Sequence, residues 1–243
     1  MQIPHLETWQ WLLGAACAFA IGLAKTGVPG LATLTVPLMV FTVGDARHSA
    51  AWTAPILVVG DVFGVWYWRR HAEARALMSL IPWVVVGMLL GGLALRLDDA
   101  VLRPILGGIV LTMVALTIAR RRHPGAVPDG HASIYGVSAG FATTLANAAG
   151  PVMSSYLLMK RMPKEQLVAT GAWFFLTVNV TKLPIYAVNG LLSQASFTFD
   201  ALMAPVVVCG AFAGFWLLKR IPQQAFDTLM LVLATISALF LFR

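Results

Sequence analysis

The chain has 243 residues, of which 59% are hydrophobic and only 11% are charged, and its formal net charge is +7. A soluble domain carries about twice that share of charge, because its surface must be wetted. The composition therefore excludes an ordinary soluble protein. The basic excess does not indicate nucleic-acid binding either, because Lys and Arg lie in short segments between apolar stretches, as membrane topology requires. We predict an all-α integral membrane protein with a single membrane domain over 1–243.

Eight apolar segments follow one another along the chain. They lie at about residues 9–42, 49–68, 76–95, 101–119, 131–159, 166–189, 200–218 and 224–242. Six have the ordinary length of a spanning helix, but the first and fifth, at roughly 30 residues each, exceed what a hydrocarbon core of about 30 Å needs. Helix breakers interrupt both long segments, at Lys25 to Gly30 and at Asn147 to Pro151. We expect each to form a broken helix.

The two broken segments are counterparts in an internal duplication. At an offset of about 118–123 residues, the matched positions are Gly22 with Gly140, Gly87 with Gly210, Gly91 with Gly214, and Asp61 with Asn179. The order of these matches is the same in both halves. The sequence therefore predicts two repeats, at about 9–120 and 131–243.

The distribution of basic residues distinguishes two topologies. If every segment spans once, Lys and Arg divide 7 to 8 between the sides, which gives no preference. If the broken segments are re-entrant hairpins, one side has 11 (Arg69, Arg70, Arg75, Arg120, Arg121, Arg122, Lys160, Arg161, Lys164, Lys219, Arg220) and the other has 4 (Arg47, Arg96, Arg103, Arg243). Short cytoplasmic loops are enriched in Lys and Arg, so the second topology is favoured. It has three transmembrane helices and one hairpin per repeat, which makes the repeats inverted and puts both termini outside the cytoplasm.

Polar groups inside the apolar segments predict an anion-binding site between the hairpin tips. A break in a helix presents half-helix N-termini, whose free N–H groups and dipole favour anions. We expect Lys25 and Lys182 to attract the anion electrostatically, and we interpret Asp61 as a candidate for proton coupling or for partnering a lysine in the empty site. The expected hydrogen-bond donors are Thr26, Gly27, Gly30, Asn147, Gly150 and Asn179.

Other interpretations stay open at this point. Lys182 could snorkel or form a purely structural bridge to Asp61, and Lys25 could be a helix cap. An intramembrane protease is disfavoured, because the sequence has no HExxH motif and predicts neither a second deep acid beside Asp61 nor a buried histidine. The sequence contains no GxxxxGK[ST] motif, so it gives no indication of an ATPase. We expect no metal and no cofactor. The sequence does not distinguish a carrier from a passive anion channel.

Two stretches of the chain resemble one known family. GLAKTGVPGLATLTVPLMV near the start and GPVMSSYLLMKRMPKEQLVATGAWFFLTVNVTKLPIYAVNGLL in the second half are similar to segments of the TauE/SafE family of sulfite exporters and organosulfur-anion permeases. The resemblance implies export of sulfite, or transport of a sulfonate such as sulfoacetate, across a prokaryotic plasma membrane. It leaves open the coupling ion, for which a proton is a candidate, and the oligomeric state, for which a homodimer is one option. The family often has Arg where this chain has Lys182, which loses bidentate recognition of an oxyanion and leaves a carboxylate carrier as an alternative.

Overall fold

The computed structural model describes residues 4–44, 46–94, 99–122 and 131–240. Within these ranges the chain forms ten α-helices and no strand, which confirms the all-α prediction. The helices are α1 (Thr8–Thr26), α2 (Leu31–Val43), α3 (Ala46–Trp68), α4 (Ala74–Ala94), α5 (Asp99–Arg122), α6 (Ala132–Ala146), α7 (Ala149–Met159), α8 (Lys164–Val188), α9 (Gln194–Arg220) and α10 (Gln223–Phe240). A 3₁₀ turn, Arg69–His71, follows α3.

Three stretches of the described residues are long and apolar enough to cross a membrane. They are His48–His71, Ala74–Ala94 and Gln194–Arg220, which correspond to α3 with its 3₁₀ turn, α4 and α9. For α5, α8 and α10, the other helices that we expect to span, crossing the membrane stays a prediction.

Both long apolar segments are interrupted where the sequence has its helix breakers. α1 ends at Thr26 and α2 begins at Leu31, after the Gly-Val-Pro-Gly stretch. α6 ends at Ala146 and α7 begins at Ala149. Between them, Asn147 has φ of 51°, a left-handed conformation that Asn tolerates better than most side chains. The left-handed residue ends one helix and lets the chain turn back.

Each broken pair of helices folds back on itself. In the first pair, the Gln10 side chain near the start of α1 donates to the Thr42 carbonyl near the end of α2 (3.0 Å). In the second pair, the rings of Tyr135 in α6 and Tyr156 in α7 have centroids 5.4 Å apart. The two ends of each pair therefore lie close together. We call α1–α2 hairpin 1 and α6–α7 hairpin 2.

Each hairpin packs closely against a helix from the other half of the chain. A Cβ added at Gly22 in α1 would lie 2.0 Å from the Val207 carbonyl oxygen in α9. A Cβ added at Gly140 in α6 would lie 2.1 Å from the Val84 carbonyl oxygen in α4. The absence of a side chain lets both pairs of backbones come this close, as small residues do at membrane helix interfaces.

These two interfaces use positions at matching offsets. Gly210 in α9 faces the Phe19 carbonyl and Gly87 in α4 faces the Val137 carbonyl, with a built Cβ at 2.1 Å in both cases. Positions 19 and 137 differ by 118, as do positions 22 and 140, while positions 87 and 210 differ by 123. The glycine matches in the sequence thus correspond to equivalent contacts in space.

Three connections rich in Lys and Arg meet at one end of the molecule. Lys164, at the start of α8, donates its amine to the Leu218 carbonyl at the end of α9 (2.8 Å). Nearby, Gln166 donates to the Glu73 carboxylate in the α3–α4 connection (3.0 Å). The basic residues of these connections are Arg69, Arg70, Arg75, Lys160, Arg161, Lys164, Lys219 and Arg220. Arg96, Arg243 and the first and last three residues, on which the topology prediction also depends, lie outside the described residues.

Hairpin 2 is enclosed by protein. All eleven residues of α7 are buried, and α7 contacts α5, α6 and α10. The sequence predicts that α7 does not span the membrane, and such a helix is tolerated where protein surrounds it, because its free backbone groups then avoid lipid. The contacts with α5, α6 and α10 therefore fix the position of α7 and of the tip of hairpin 2.

Candidate functional site

The end of α1 carries a buried cation that is paired across the fold. The Lys25 amine lies 2.8 Å from one carboxylate oxygen of Asp61 in α3. The other carboxylate oxygen accepts a hydrogen bond from Asn179 in α8 (2.6 Å). The Lys25 amine also lies 4.1 Å from the ring centroid of Phe175. Lys25, Asp61 and Asn179 are all buried.

A second buried cation lies at the tip of hairpin 2. The side chain of Lys182 in α8 is fully buried, and its amine donates to Thr143 Oγ1 (3.0 Å) and to the Asn147 side-chain oxygen. The Asn147 amide nitrogen in turn donates to the Ala50 carbonyl in α3 (2.9 Å). Within the part of the chain that the structure describes, no carboxylate forms an ion pair with Lys182.

The two cations therefore have different surroundings. Lys25 has a carboxylate partner, whereas Lys182 has only neutral oxygen acceptors. When Lys25, Lys182 and Asp61 are all ionised, these three groups carry a net charge of +1, and a buried charge in a membrane protein is costly unless a partner compensates it. This arrangement favours an anion as the missing partner and disfavours a cation.

A cavity of about 30 Å³ joins the two hairpins beside these lysines. Its size is sufficient for one or two water molecules in this conformation. The lining residues are Lys25, Pro29, Ala32, Thr35, Val36, Thr53, Leu57, Thr143, Asn147, Gly150, Val168, Gly171, Ala172, Phe175 and Asn179. Hairpin 1, hairpin 2, α3 and α8 all contribute to this lining, so both hairpin tips reach one cavity.

The N-terminus of α7 is part of the cavity wall. Gly150 is the second residue of α7 and lines the cavity. The first N–H groups of a helix have no intrahelical acceptor and carry the positive end of the helix dipole. Pro151 follows in the first helical turn, where the lack of an N–H is tolerated. The start of α7 therefore adds to the positive electrostatic character of the site.

The structure brings some of the expected site residues together and places others elsewhere. Lys25, Asn147, Gly150 and Asn179 line the cavity, and Asp61 and Lys182 bond directly to its lining residues. Thr26, Gly27 and Gly30 do not line it.

The three residues outside the cavity have packing partners instead. The Thr26 hydroxyl donates to the Ala211 carbonyl in α9 (2.8 Å). A Cβ added at Gly27 would lie 2.8 Å from the Gly214 carbonyl oxygen, and one added at Gly30 would lie 2.8 Å from Leu233. These residues hold hairpin 1 against α9 and α10.

Sequence reasoning missed three polar or aromatic groups of the site. Thr143 accepts from Lys182, while Thr53 and Phe175 line the cavity. Threonine in a membrane helix commonly bonds to its own backbone, as Thr53 does with the Ser49 carbonyl (2.6 Å). The only sequence signal for Thr143 is its position one turn before the break at Asn147.

Comparison with known proteins identifies one family. The model of the family described as sulfite exporter TauE/SafE matches residues 14–241. No curated protein matches this chain, and no solved structure does.

Proposed function

The chain belongs to the sulfite exporter TauE/SafE family, and from this premise we propose that it is a secondary carrier of sulfite or an organosulfonate. Membership places it among multi-pass membrane transporters and not among enzymes. The observation that carries the proposal is the fully buried amine of Lys182, which has neutral acceptors and no carboxylate partner among the described residues. A small anion supplies the charge that this amine lacks.

The anion binds in the cavity between the two hairpins. Lys182 and the N-terminus of α7 attract it, and Asn147 and Asn179 offer amide groups at the cavity wall. Lys25 binds the anion when its ion pair with Asp61 loosens. This assignment is supported by the convergence of groups from both halves of the chain on one small polar space.

Alternating access follows from an arrangement of two inverted repeats with re-entrant hairpins. Support for the repeats comes from the equivalent glycine contacts of α1 with α9 and of α6 with α4. Support for the hairpins comes from the contacts that join the ends of each broken pair. Inverted repeats with broken helices near the midplane are the recurring plan of secondary transporters. Each hairpin then moves with its partner helix to open one side of the cavity.

The basic end of the molecule faces the cytoplasm of a prokaryotic cell. The α3–α4, α7–α8 and α9–α10 connections carry eight Lys and Arg residues in the described part of the chain (Arg69, Arg70, Arg75, Lys160, Arg161, Lys164, Lys219, Arg220). Basic residues accumulate in short cytoplasmic loops. Both chain termini and the two ends of hairpin 1 then lie on the opposite side of the plasma membrane.

The test is the uptake of labelled sulfite by proteoliposomes that contain the purified protein. Sulfate, taurine, sulfoacetate and acetate serve as competitors, and protein-free liposomes give the background. We expect saturable uptake that sulfur anions inhibit more strongly than acetate does. Stronger inhibition by acetate would favour a carboxylate carrier, uptake that rises linearly with concentration would favour a channel, and uptake equal to background would contradict the proposal.

A further inference from the structure

The start of α9 carries a second acid that is buried within a membrane-crossing stretch. Asp200 is the seventh residue of α9, inside the Gln194–Arg220 stretch. Its exposed fraction is 7%, and neither of its carboxylate oxygens has a hydrogen-bond partner in the described structure. Asp61 differs, because Lys25 and Asn179 engage both of its oxygens.

Asp200 lies where α9 meets α1 and α3. The residue before it, Phe199, packs its ring against Trp11 of α1 and Trp52 of α3, with centroids 5.4 Å and 5.7 Å away. Val207, seven residues further along and on the same face of α9, contacts the Cβ positions of Gly22 and Gly60. The seam between hairpin 1 and its two neighbouring helices therefore contains this carboxyl group.

Among the described residues, the seam offers Asp200 no counterion. Among the described side chains on the buried faces of α1 and α3, the charged or titratable residues are Cys17, Lys25 and Asp61, and His48 lies at the exposed start of α3. The side chain of Arg47, one residue earlier, lies outside the described part of the structure. The Lys25 amine is paired with Asp61. In the described structure no hydrogen bond reaches either carboxylate oxygen of Asp200. An ionised carboxylate without a partner is strongly disfavoured in such a place, whereas a neutral carboxylic acid is tolerated.

The internal repeat indicates that packing does not require an acid here. The offset of 123 that relates Gly87 to Gly210 relates position 77 to position 200. Leu77 occupies that position in α4 and packs against the apolar core beside hairpin 2. The same kind of helix surface is thus built with an apolar residue in the other half, so the acid of α9 needs a different explanation.

We propose that Asp200 is a proton-binding site of the carrier, separate from the anion site. The carboxyl group holds its proton while hairpin 1 is packed against α9, as in this structure. When the hairpin moves and water enters the seam, the O–H bond breaks, the proton passes to water and the carboxylate is left solvated. The inference rests on the proposed carrier function, because it links the proton to the movement that carries the anion.

Chemical labelling of the unaltered protein tests the protonation directly. A hydrophobic carbodiimide adds to a protonated carboxyl group and rearranges to an N-acylurea, with no leaving group, so the modified residue gains the mass of one carbodiimide. We expect mass spectrometry of the membrane-embedded protein at neutral pH to find this mass on Asp200 and not on the ion-paired Asp61. Unmodified Asp200, with or without labelling of Asp61, would overturn the proposal. This test does not depend on whether sulfite is the substrate.

Transport measurements test the link to the anion. Proteoliposomes with wild type, Asp200→Asn or Asp227→Asn are compared in two assays of labelled sulfite at zero membrane potential: exchange without a pH difference, and accumulation with a difference of one pH unit. Asp227 is a suitable control, because it is an acid of α10 that accepts from Gln223 (2.8 Å), away from the seam.

We expect wild type and the control to accumulate sulfite to about tenfold its external concentration, the ratio that one proton per anion supports for one pH unit. Asp200→Asn should exchange sulfite but accumulate it less than twofold. The inference would be overturned if Asp200→Asn accumulated sulfite as wild type does. It would also be overturned if all three proteins exchanged sulfite and none accumulated it. Either result would leave the carrier function standing. A lack of exchange by wild type would instead refute the carrier function, and labelling would still decide the proton site.

Discussion

Replacement of Lys182 by Met removes one buried positive charge and keeps a side chain of similar length. In the structure the amine is fully buried and donates to Thr143 (3.0 Å) and to Asn147. Opposite unit charges 4 Å apart interact by about 4 kcal/mol at an effective dielectric constant of 20. Since each 1.4 kcal/mol corresponds to a factor of about ten, we expect Lys182→Met to weaken sulfite binding by about two to three orders of magnitude.

The same change has a much smaller expected effect on folding. It removes a buried cation that lacks a counterion, which offsets the loss of its hydrogen bonds. The acceptors Thr143 and Asn147 lose a donor, at a cost of about 1–3 kcal/mol. Purified Lys182→Met should therefore elute as a folded protein and unfold at a temperature close to that of wild type without anion.

Titration calorimetry of sulfite into the purified protein measures the loss of affinity. Lys219→Met is the matched control, because it removes a lysine whose amine lies over the Tyr67 ring at the basic end of the molecule, 5.2 Å from the ring centroid. We expect the control to bind sulfite as wild type does. A Lys182→Met protein that binds sulfite within about twofold of wild type would refute the electrostatic reasoning and leave Lys182 a structural role.

Three further outcomes are expected. Asp61→Asn leaves the Lys25 amine without its counterion, so the unliganded protein should lose about 3–5 kcal/mol of stability. Sulfite should then raise the unfolding temperature of this variant more than that of wild type. An equal rise in both proteins would argue against Lys25 as an anion ligand. Gly22→Ala places a Cβ 2.0 Å from a carbonyl oxygen of α9 and should cost at least about 1–3 kcal/mol, whereas Gly92→Ala, with nothing within 4 Å of its Cβ, should not lower the unfolding temperature. An epitope tag on either terminus should be cleaved by protease outside intact cells, and protection of both tags would contradict the hairpin topology.

The helices and their interruptions were predictable because their signals are local. Clusters of Gly, Pro and Asn favour a helix break, and the breaks at 27–30 and 147–148 lie at such clusters. The glycine matches that predicted the repeat also have a direct physical meaning. Gly22 and Gly140 are needed because a neighbouring helix comes close at each of them.

The partners within the site were less predictable, because they depend on how separate helices pack. Asn179 and Lys182 are three residues apart on α8, and both are buried. The sequence left open which lysine Asp61 would meet, and the packing of α1 against α3 gives it Lys25. Thr26 was expected at the anion site, but its hydroxyl bonds to the carbonyl of Ala211 in α9.

The burial of Asp200 does not follow from the hydropathy pattern of the sequence. It stands at the first position of its apolar segment, where a solvated acid is ordinary. In the structure α9 begins six residues earlier, at Gln194, and the carboxyl group is buried. The start of the apolar segment and the start of the helix are different positions, and only the fold reveals the burial.

The location of a bound anion tests the central claim most directly. Selenite has the shape and charge of sulfite, and selenium gives an anomalous diffraction signal that fixes its position in a crystal of the protein. We predict a selenium peak in the cavity between the hairpins, with an oxyanion oxygen within hydrogen-bond distance of the Lys182 amine. A peak only at the basic surface near Arg75, Lys160 and Arg161, with none between the hairpins, would contradict the proposed site.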